Sequence, residues 1–322
     1  MGGSNEKETI YDCIVVGAGA AGMASSIYLS RYRLNHLVFG EVPGGQFLDA
    51  SVVENYPGSI SISGTDLVTA FKKHVESYGV QIRQERIGEI KPEEKNFIAK
   101  NTRGDLYRAR TVILALGARH RPLNVPGEDK FLSKGVSYCA ICDAPLFKGK
   151  DVAVVGGGDS AVTAAIHAAS FARKVYVIVR RGEYRAEPIW VEKMHALPNV
   201  EEVLNNTVQE IQGKSLMEKI VLSSEYKGKK ELSVSGVFVE IGLIPATALA
   251  VPLGVKLDEN GYITVDARME TNISGVFAAG DLALVPGSIP FRQIVTSAGQ
   301  GAMAAAAAHQ YLRRQAPPPN WG

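Results

Sequence analysis

Two stretches of the chain repeat one order of apolar and polar residues. In "YDCIVVGAGAAGMASSIYLSRYRLNHLVFGE", the unbroken apolar run at 13–16 predicts a buried parallel strand. Gly17, Gly19, Ala20 and Gly22 follow in a G-x-G-x-x-G turn, then an amphipathic helix, an apolar run at 37–39, and Glu41. In "KDVAVVGGGDSAVTAAIHAASFARKVYVIVRR" the order returns: a strand at 152–155, a turn with Gly156, Gly158 and Ala161, a helix, a strand at 175–179, then Arg180 and Arg181. Alternation of this kind predicts an α/β fold with parallel sheets. Further on, residues 275–279 predict a strand ending at Gly280 and Asp281. A long helix from about Gln293 then runs through the alanine-rich 302–308. "ELSVSGVFVEIG" reads as strand at the edge of an inserted domain.

The two turns predict nucleotide sites. The first glycine permits a tight strand-to-helix turn, and the second lets the backbone approach a pyrophosphate. The third position must be small for helix and strand to pack, and the phosphate rests on the helix N-terminus. Glu41 and Arg180 stand equally far behind their turns. A carboxylate there accepts from a ribose hydroxyl, whereas arginine suits a 2′-phosphate. The first unit is therefore expected to hold a nucleotide with a free ribose, such as FAD, and the second NADPH, with Arg180, Arg181 and Arg185 around the phosphate. Asp281 reads either as a turn aspartate or as an acceptor for a ribityl or ribose hydroxyl. The helix start near Arg292 and Gln293 suits the negative charge of a reduced flavin.

A length of 322 residues suggests about two domains. The expected division is 9–121 for the first part of an FAD domain, 122–249 for an inserted NADPH domain, 250–315 for the second part of the FAD domain, and 316–322 for a flexible tail. The crossings carry Gly and Pro at 117–127 and 240–249, the expected hinges. A net charge of +2 gives no reason to expect nucleic acid. The polar start lacks an apolar signal core, and no apolar run is long enough to span a bilayer, so a cytoplasmic protein without membrane contact is expected.

Cys139 and Cys142 form C-x-x-C, followed by Asp143, in "SYCAICDAP". With only three cysteines, and in a reducing compartment, such a pair reads as catalytic or metal-binding rather than as part of a disulfide scaffold. Zinc needs about four ligands and the surroundings supply two, so no metal is expected. Cys13 lies in the first predicted strand and reads as a small core residue.

Over almost the whole length, about 11–312, the chain resembles the low-molecular-weight thioredoxin reductases. The motifs "GAGAAG", "GGQ" (44–46), "VENYPG" (53–58), "CAICD", "GGGDSA", "RRGEYRA", "GVFAAGD" and "FRQIVTSAGQG" stand in that family's order. The resemblance implies two Rossmann-like, three-layer ββα domains, the NADPH domain inserted into the FAD domain. It implies FAD on Gly17, Gly19, Gly22, Gly45, Gln46, Asn55, Asp281, Arg292 and Gln293, and NADPH on Gly158, Asp159, Ser160, Arg180, Arg181 and Arg185. It implies a redox disulfide in which Cys142 faces the flavin, Cys139 attacks the partner and Asp143 moves the proton. A homodimer that reduces thioredoxin follows, with domain rotation about the hinges. Reduction of another glutaredoxin-like disulfide protein, or NADPH oxidase activity, are the alternatives. Val179 stands where the family often has histidine, "ALGA" (115–118) stands for "ATGA", and the loop at 282–293 is longer than usual.

Overall fold

The computed structural model describes residues 9–50, 52–289 and 291–315, so the expected tail at 316–322 lies outside the described residues. The chain divides into two compact units, Met1–Ala118 with Pro245–Gly322, and Arg119–Ile244. The cuts fall a few residues before the expected 121/122 and 249/250.

The first unit begins with β1 (Ile10–Val16), α1 (Ala20–Arg31) and β2 (His36–Phe39). It continues through α2 (Gly64–Glu76), β3 (Ile82–Arg83), β4 (Ile87–Glu93), β5 (Asn96–Asn101) and β6 (Leu106–Leu114). The sheet runs β3-β2-β1-β6-β5-β4. β1 pairs in parallel with β2 and β6, whereas β4, β5 and the start of β6 are antiparallel. Cys13, Ile14 and Val15 are fully buried, as a run covered on both faces must be.

β7 (Ala118–His120) opens the first crossing, and the second unit follows with α3 (Glu128–Phe131), β8 (Val136–Ser137) and α4 (Ala140–Asp143). Next come β9 (Asp151–Val155), α5 (Asp159–Ala169), β10 (Lys174–Val179), α6 (Pro188–His195) and β11 (Val200–Leu204). β12 (Val208–Gly213), β13 (Met217–Tyr226), β14 (Lys229–Ser233), β15 (Gly236–Val239) and β16 (Leu243–Pro245) complete it. A parallel sheet, β11-β10-β9-β15-β8, forms the middle layer. Its alternate residues face opposite ways. Val152, Val154, Val175, Val177 and Phe238 pack with α5 and Met194 of α6, while Ala153, Val155, Ile178 and Val237 pack with the antiparallel β12-β13-β14 layer. The expected three-layer ββα arrangement is present.

One local expectation needs correction. "ELSVSGVFVEIG" is two strands, and the second, β15, lies inside the sheet between β9 and β8 rather than at an edge. All four of its residues are buried, the pattern of an interior parallel strand. The two crossings, where the hinges are expected, contain β7 and β16, which pair with each other.

The return to the first unit brings β17 (Ile263–Thr264), β18 (Val276–Ala278), β19 (Ala283–Leu284) and α7 (Ile294–Gln315). β18 pairs with Val112, Ile113 and Leu114, the upper half of β6, beyond the part that β5 covers. The alanines of α7 have a packing reason. A Cβ on Gly301 would stand 2.1 Å from the Ala21 carbonyl oxygen, so α7 and α1 meet backbone to backbone. Ser25 Oγ bridges them, donating within reach of the carbonyls of Ala21 (2.8 Å) and Gly301 (2.9 Å). Larger residues at Ala304, Ala305 and Ala308, all fully buried, would drive the helices apart. Among the described residues no helix is long and apolar enough to cross a membrane.

Candidate functional site

β1 ends in a turn that requires glycine. Gly17 has φ +117°, and a Cβ there would stand 2.0 Å from the Ala115 carbonyl oxygen. A Cβ on Gly22 would stand 1.8 Å from the Gly17 carbonyl oxygen, so α1 starts directly against the strand end. Gly19 is different: beyond its chain neighbours, the only atom of the described residues within 4 Å of its Cβ position is the Gly44 carbonyl oxygen, at 3.8 Å. Ala20, buried, begins α1, which has no side-chain cap and no acid in its first turn. Its positive end is thus open to an anion.

Other sequence-predicted residues gather around this turn. The Gly44 N–H donates to the Ala18 carbonyl at 2.7 Å and sets the short 3₁₀ helix Gly45–Asp49 beside it. Gln46 Nε2 is buried there and donates to no protein atom among the described residues. Asn55 Nδ2 donates to Gln293 Oε1 at 3.0 Å. Gly280 lies against Ala21, and its N–H donates to Gln300 Oε1 at 2.8 Å. Asp281 accepts from Ser297 Oγ at 2.9 Å, and burial raises its carboxyl above the usual range against that bond. The Arg292 guanidinium lies over Tyr262, 4.8 Å from the ring centre. Glu41 is mostly exposed, 3.9 Å from Arg86. Sequence reasoning missed the supporting Ser297, Gln300 and Tyr262. The first two lie within the quoted "FRQIVTSAGQG", one helical turn apart on α7.

In the second unit, Cys139 and Cys142 form a disulfide, with Cα atoms 5.4 Å apart. Cys139 caps the short α4, and the Cys142 N–H donates to its sulfur at 3.2 Å. The Cys139 N–H donates to Ser137 Oγ at 3.0 Å, and the Asp143 N–H to the Cys139 carbonyl at 3.1 Å. Burial lowers the pKa of His167 on α5, against the smaller opposing effect of the Ile141 backbone between the cysteines. Cys142 is exposed, Cys139 and Asp143 half-buried, and Ala140 buried. Cys13, by contrast, is fully buried, and its thiol is pushed up to about 12. It stays protonated and unreactive.

The second glycine turn repeats the logic of the first. Gly156 has φ +147°, and its Cβ would stand 2.1 Å from the Glu240 carbonyl oxygen and 2.8 Å from Ala161 Cβ. A Cβ on Gly158 would meet no other part of the described residues within 4 Å. Asp159 Oδ1 accepts the Glu187 N–H at 2.7 Å, and the Arg185 N–H donates to the Gly157 carbonyl at 2.7 Å. These two bonds fold residues 180–187 back onto the turn. Arg180, Arg181, Arg185 and Ser160 are exposed, and none of the three arginines pairs with a carboxylate among the described residues.

A family model of pyridine nucleotide-disulphide oxidoreductases matches residues 11–310. The thioredoxin reductase of Listeria innocua is 39% identical over 309 residues, which cover 95% of each chain. An alkyl hydroperoxide reductase subunit, from Escherichia coli, is 38% identical over 96% of this chain, which spans 59% of that protein. Among solved structures, thioredoxin reductase of Lactococcus lactis superposes with a TM-score of 0.89 at 33% identity, covering 94% of this chain and 99% of that one.

Proposed function

Because the chain belongs to the pyridine nucleotide-disulphide oxidoreductase family, we propose that it reduces the disulfide of thioredoxin with electrons from NADPH. The observation that carries this reading is the Cys139–Cys142 disulfide, set in the same unit as an arginine-flanked glycine turn. The overall change is NADPH plus a proton plus a protein disulfide, giving NADP⁺ and a protein dithiol.

The first unit fits FAD. Open backbone at Gly19, an uncapped helix end and the buried, unpartnered amide of Gln46 supply donors for a dinucleotide. In this reading Gly17, Gly19, Ala20, Gly22, Gly45 and Gln46 line the flavin nucleotide with Asn55, Gly280, Arg292 and Gln293, while Glu41 and Asp281 accept from its hydroxyls. FAD, when bound, relays two electrons between NADPH and the disulfide. Gly158 and Ser160 approach the NADPH pyrophosphate, Asp159 holds the loop, and Arg180, Arg181 and Arg185 surround the 2′-phosphate. Once reduced, Cys139 acts as the thiolate that attacks the partner disulfide, and Cys142 resolves the mixed disulfide. Asp143 supplies or removes the proton. The domain division at 9–121, 122–249 and 250–315 assigns these roles to the FAD and NADPH parts. A homodimer working in the cytoplasm completes the proposal and rests on the resemblance.

The test is anaerobic NADPH consumption with thioredoxin as acceptor, in wild type and in Cys139→Ser. Wild type should turn over, and the variant should keep reduction of its flavin yet lose disulfide turnover. In a parallel run in air, equal oxygen-dependent consumption in both, with no thioredoxin reduction in the anaerobic run, would make the protein an oxidase.

A further inference from the structure

Glu128 is the only acidic residue in the buried class among the described residues, 4% exposed, and no lysine, arginine or histidine pairs with it. A buried carboxylate without a cation survives only when donors saturate it. Here there are three. The backbone N–H groups of Leu123 and Asn124 donate at 2.8 and 2.7 Å, and the Tyr138 hydroxyl donates at 2.5 Å. Leu123 and Asn124 belong to the chain that has just crossed into the second unit, and Asn124 sits at φ +57°, a left-handed conformation that needs support. Tyr138 immediately precedes Cys139. Its ring also meets His120 of β7, with centroids 5.6 Å apart.

We propose that Glu128 is a positioning residue for the redox pair: its carboxylate fastens Tyr138, and with it Cys139, to the first crossing segment. The proposal deepens the thiol-disulfide reading given above and rests on it. Residues 123–128 then move with the redox turn, and any bending of this crossing must occur before Leu123. With Ser137 Oγ holding the Cys139 N–H, the Cys139 side of the turn is fixed, and the exposed Cys142 side keeps the remaining freedom. A fixed Cys139 keeps the two sulfurs close and favours ring closure over the open dithiol.

The experiment measures the Cys139–Cys142 equilibrium in buffers of reduced and oxidised dithiothreitol, which exchange two electrons and two protons with the pair. The holoprotein is equilibrated, trapped with an alkylating agent and read by mass. Tyr138→Phe removes one donor and leaves both backbone bonds to Glu128. It should shift the equilibrium about threefold to tenfold toward the dithiol, the scale of losing one hydrogen bond. Glu128→Ala should shift it at least as far, and the double variant no further than Glu128→Ala, because both break one link. If Glu128→Ala does not fold, Tyr138→Phe carries the test. A folded Tyr138→Phe protein with its equilibrium within twofold of wild type would overturn the proposal, as would additive effects in the double variant. The equilibrium is read without NADPH or thioredoxin. A wild type that reduces no protein disulfide would therefore overturn the underlying reading separately.

Discussion

Replacing Gly158 with alanine separates a glycine needed by a ligand from a glycine needed by the fold. Gly158 has φ −98° and ψ −177°, an extended backbone that alanine adopts readily, and its Cβ would meet no other part of the described residues within 4 Å. Loss of unfolded-state freedom favours the variant by about 0.4–1 kcal/mol. Alanine is a poorer N-cap than glycine, and Gly158 caps α5, which costs about 0.5–1 kcal/mol. The two terms nearly offset, so the melting temperature should move by less than about 4 °C. The added methyl nevertheless occupies the space where backbone must meet a pyrophosphate. NADPH affinity should fall at least about tenfold, or about 1.4 kcal/mol. Gly156→Ala is the contrast: at φ +147°, with a backbone oxygen 2.1 Å from the new atom, it should cost about 3 kcal/mol or more and lower the melting temperature or solubility outright. The assay is a thermal melt beside an NADPH titration for each variant. A stable Gly158→Ala protein that binds NADPH within twofold of wild type would refute the assignment of this turn.

Arg181→Gln should raise the KM for NADPH about tenfold and leave that for NADH within twofold, because only NADPH carries the 2′-phosphate; steady-state kinetics with both nucleotides decides. Burial raises the Asp281 pKa in the folded protein, so its ionised form weakens folding above the carboxylate range, and acidification through that pKa restores the loss. Asp281→Asn should therefore leave the flavin-free protein at pH 7 as stable as wild type or more so, while weakening flavin retention; a markedly lower melting temperature of the flavin-free variant would contradict this. Native protein, once reduced, should expose two thiols to alkylation at pH 8, with the Cys13 thiol reacting only in denaturant, as mass spectrometry would show.

The glycine turns were legible because their logic is local: an apolar run, a small-residue turn and a helix follow one another along the chain. The places of Asp281, just past β18, and of Gln293, just before α7, were legible for the same reason. Long-range placement was not. β15 carries the same apolar run whether it lies at an edge or inside a sheet, and only its neighbours β8 and β9 decide. Glu128 showed no signal, since its partners lie a few residues before it and ten after it, at no helical or strand period. Ser297 and Gln300 read as ordinary polar positions of a helix until Asp281 and Gly280 are placed opposite them.

The pairing of β18 with the upper half of β6 has a consequence for how the chain is made. On a ribosome, the second unit is complete before the first can close. Val112, Ile113 and Leu114 emerge early, yet the strand that covers their free side ends at Ala278, and the helix that seats on Ala21 comes later still. At the usual 5–20 residues per second this leaves an apolar strand edge open for on the order of ten seconds. The nascent first unit is therefore an unfinished sheet waiting for its last strand and helix, and the stretch most in need of protection during synthesis is the far end of its own central strand.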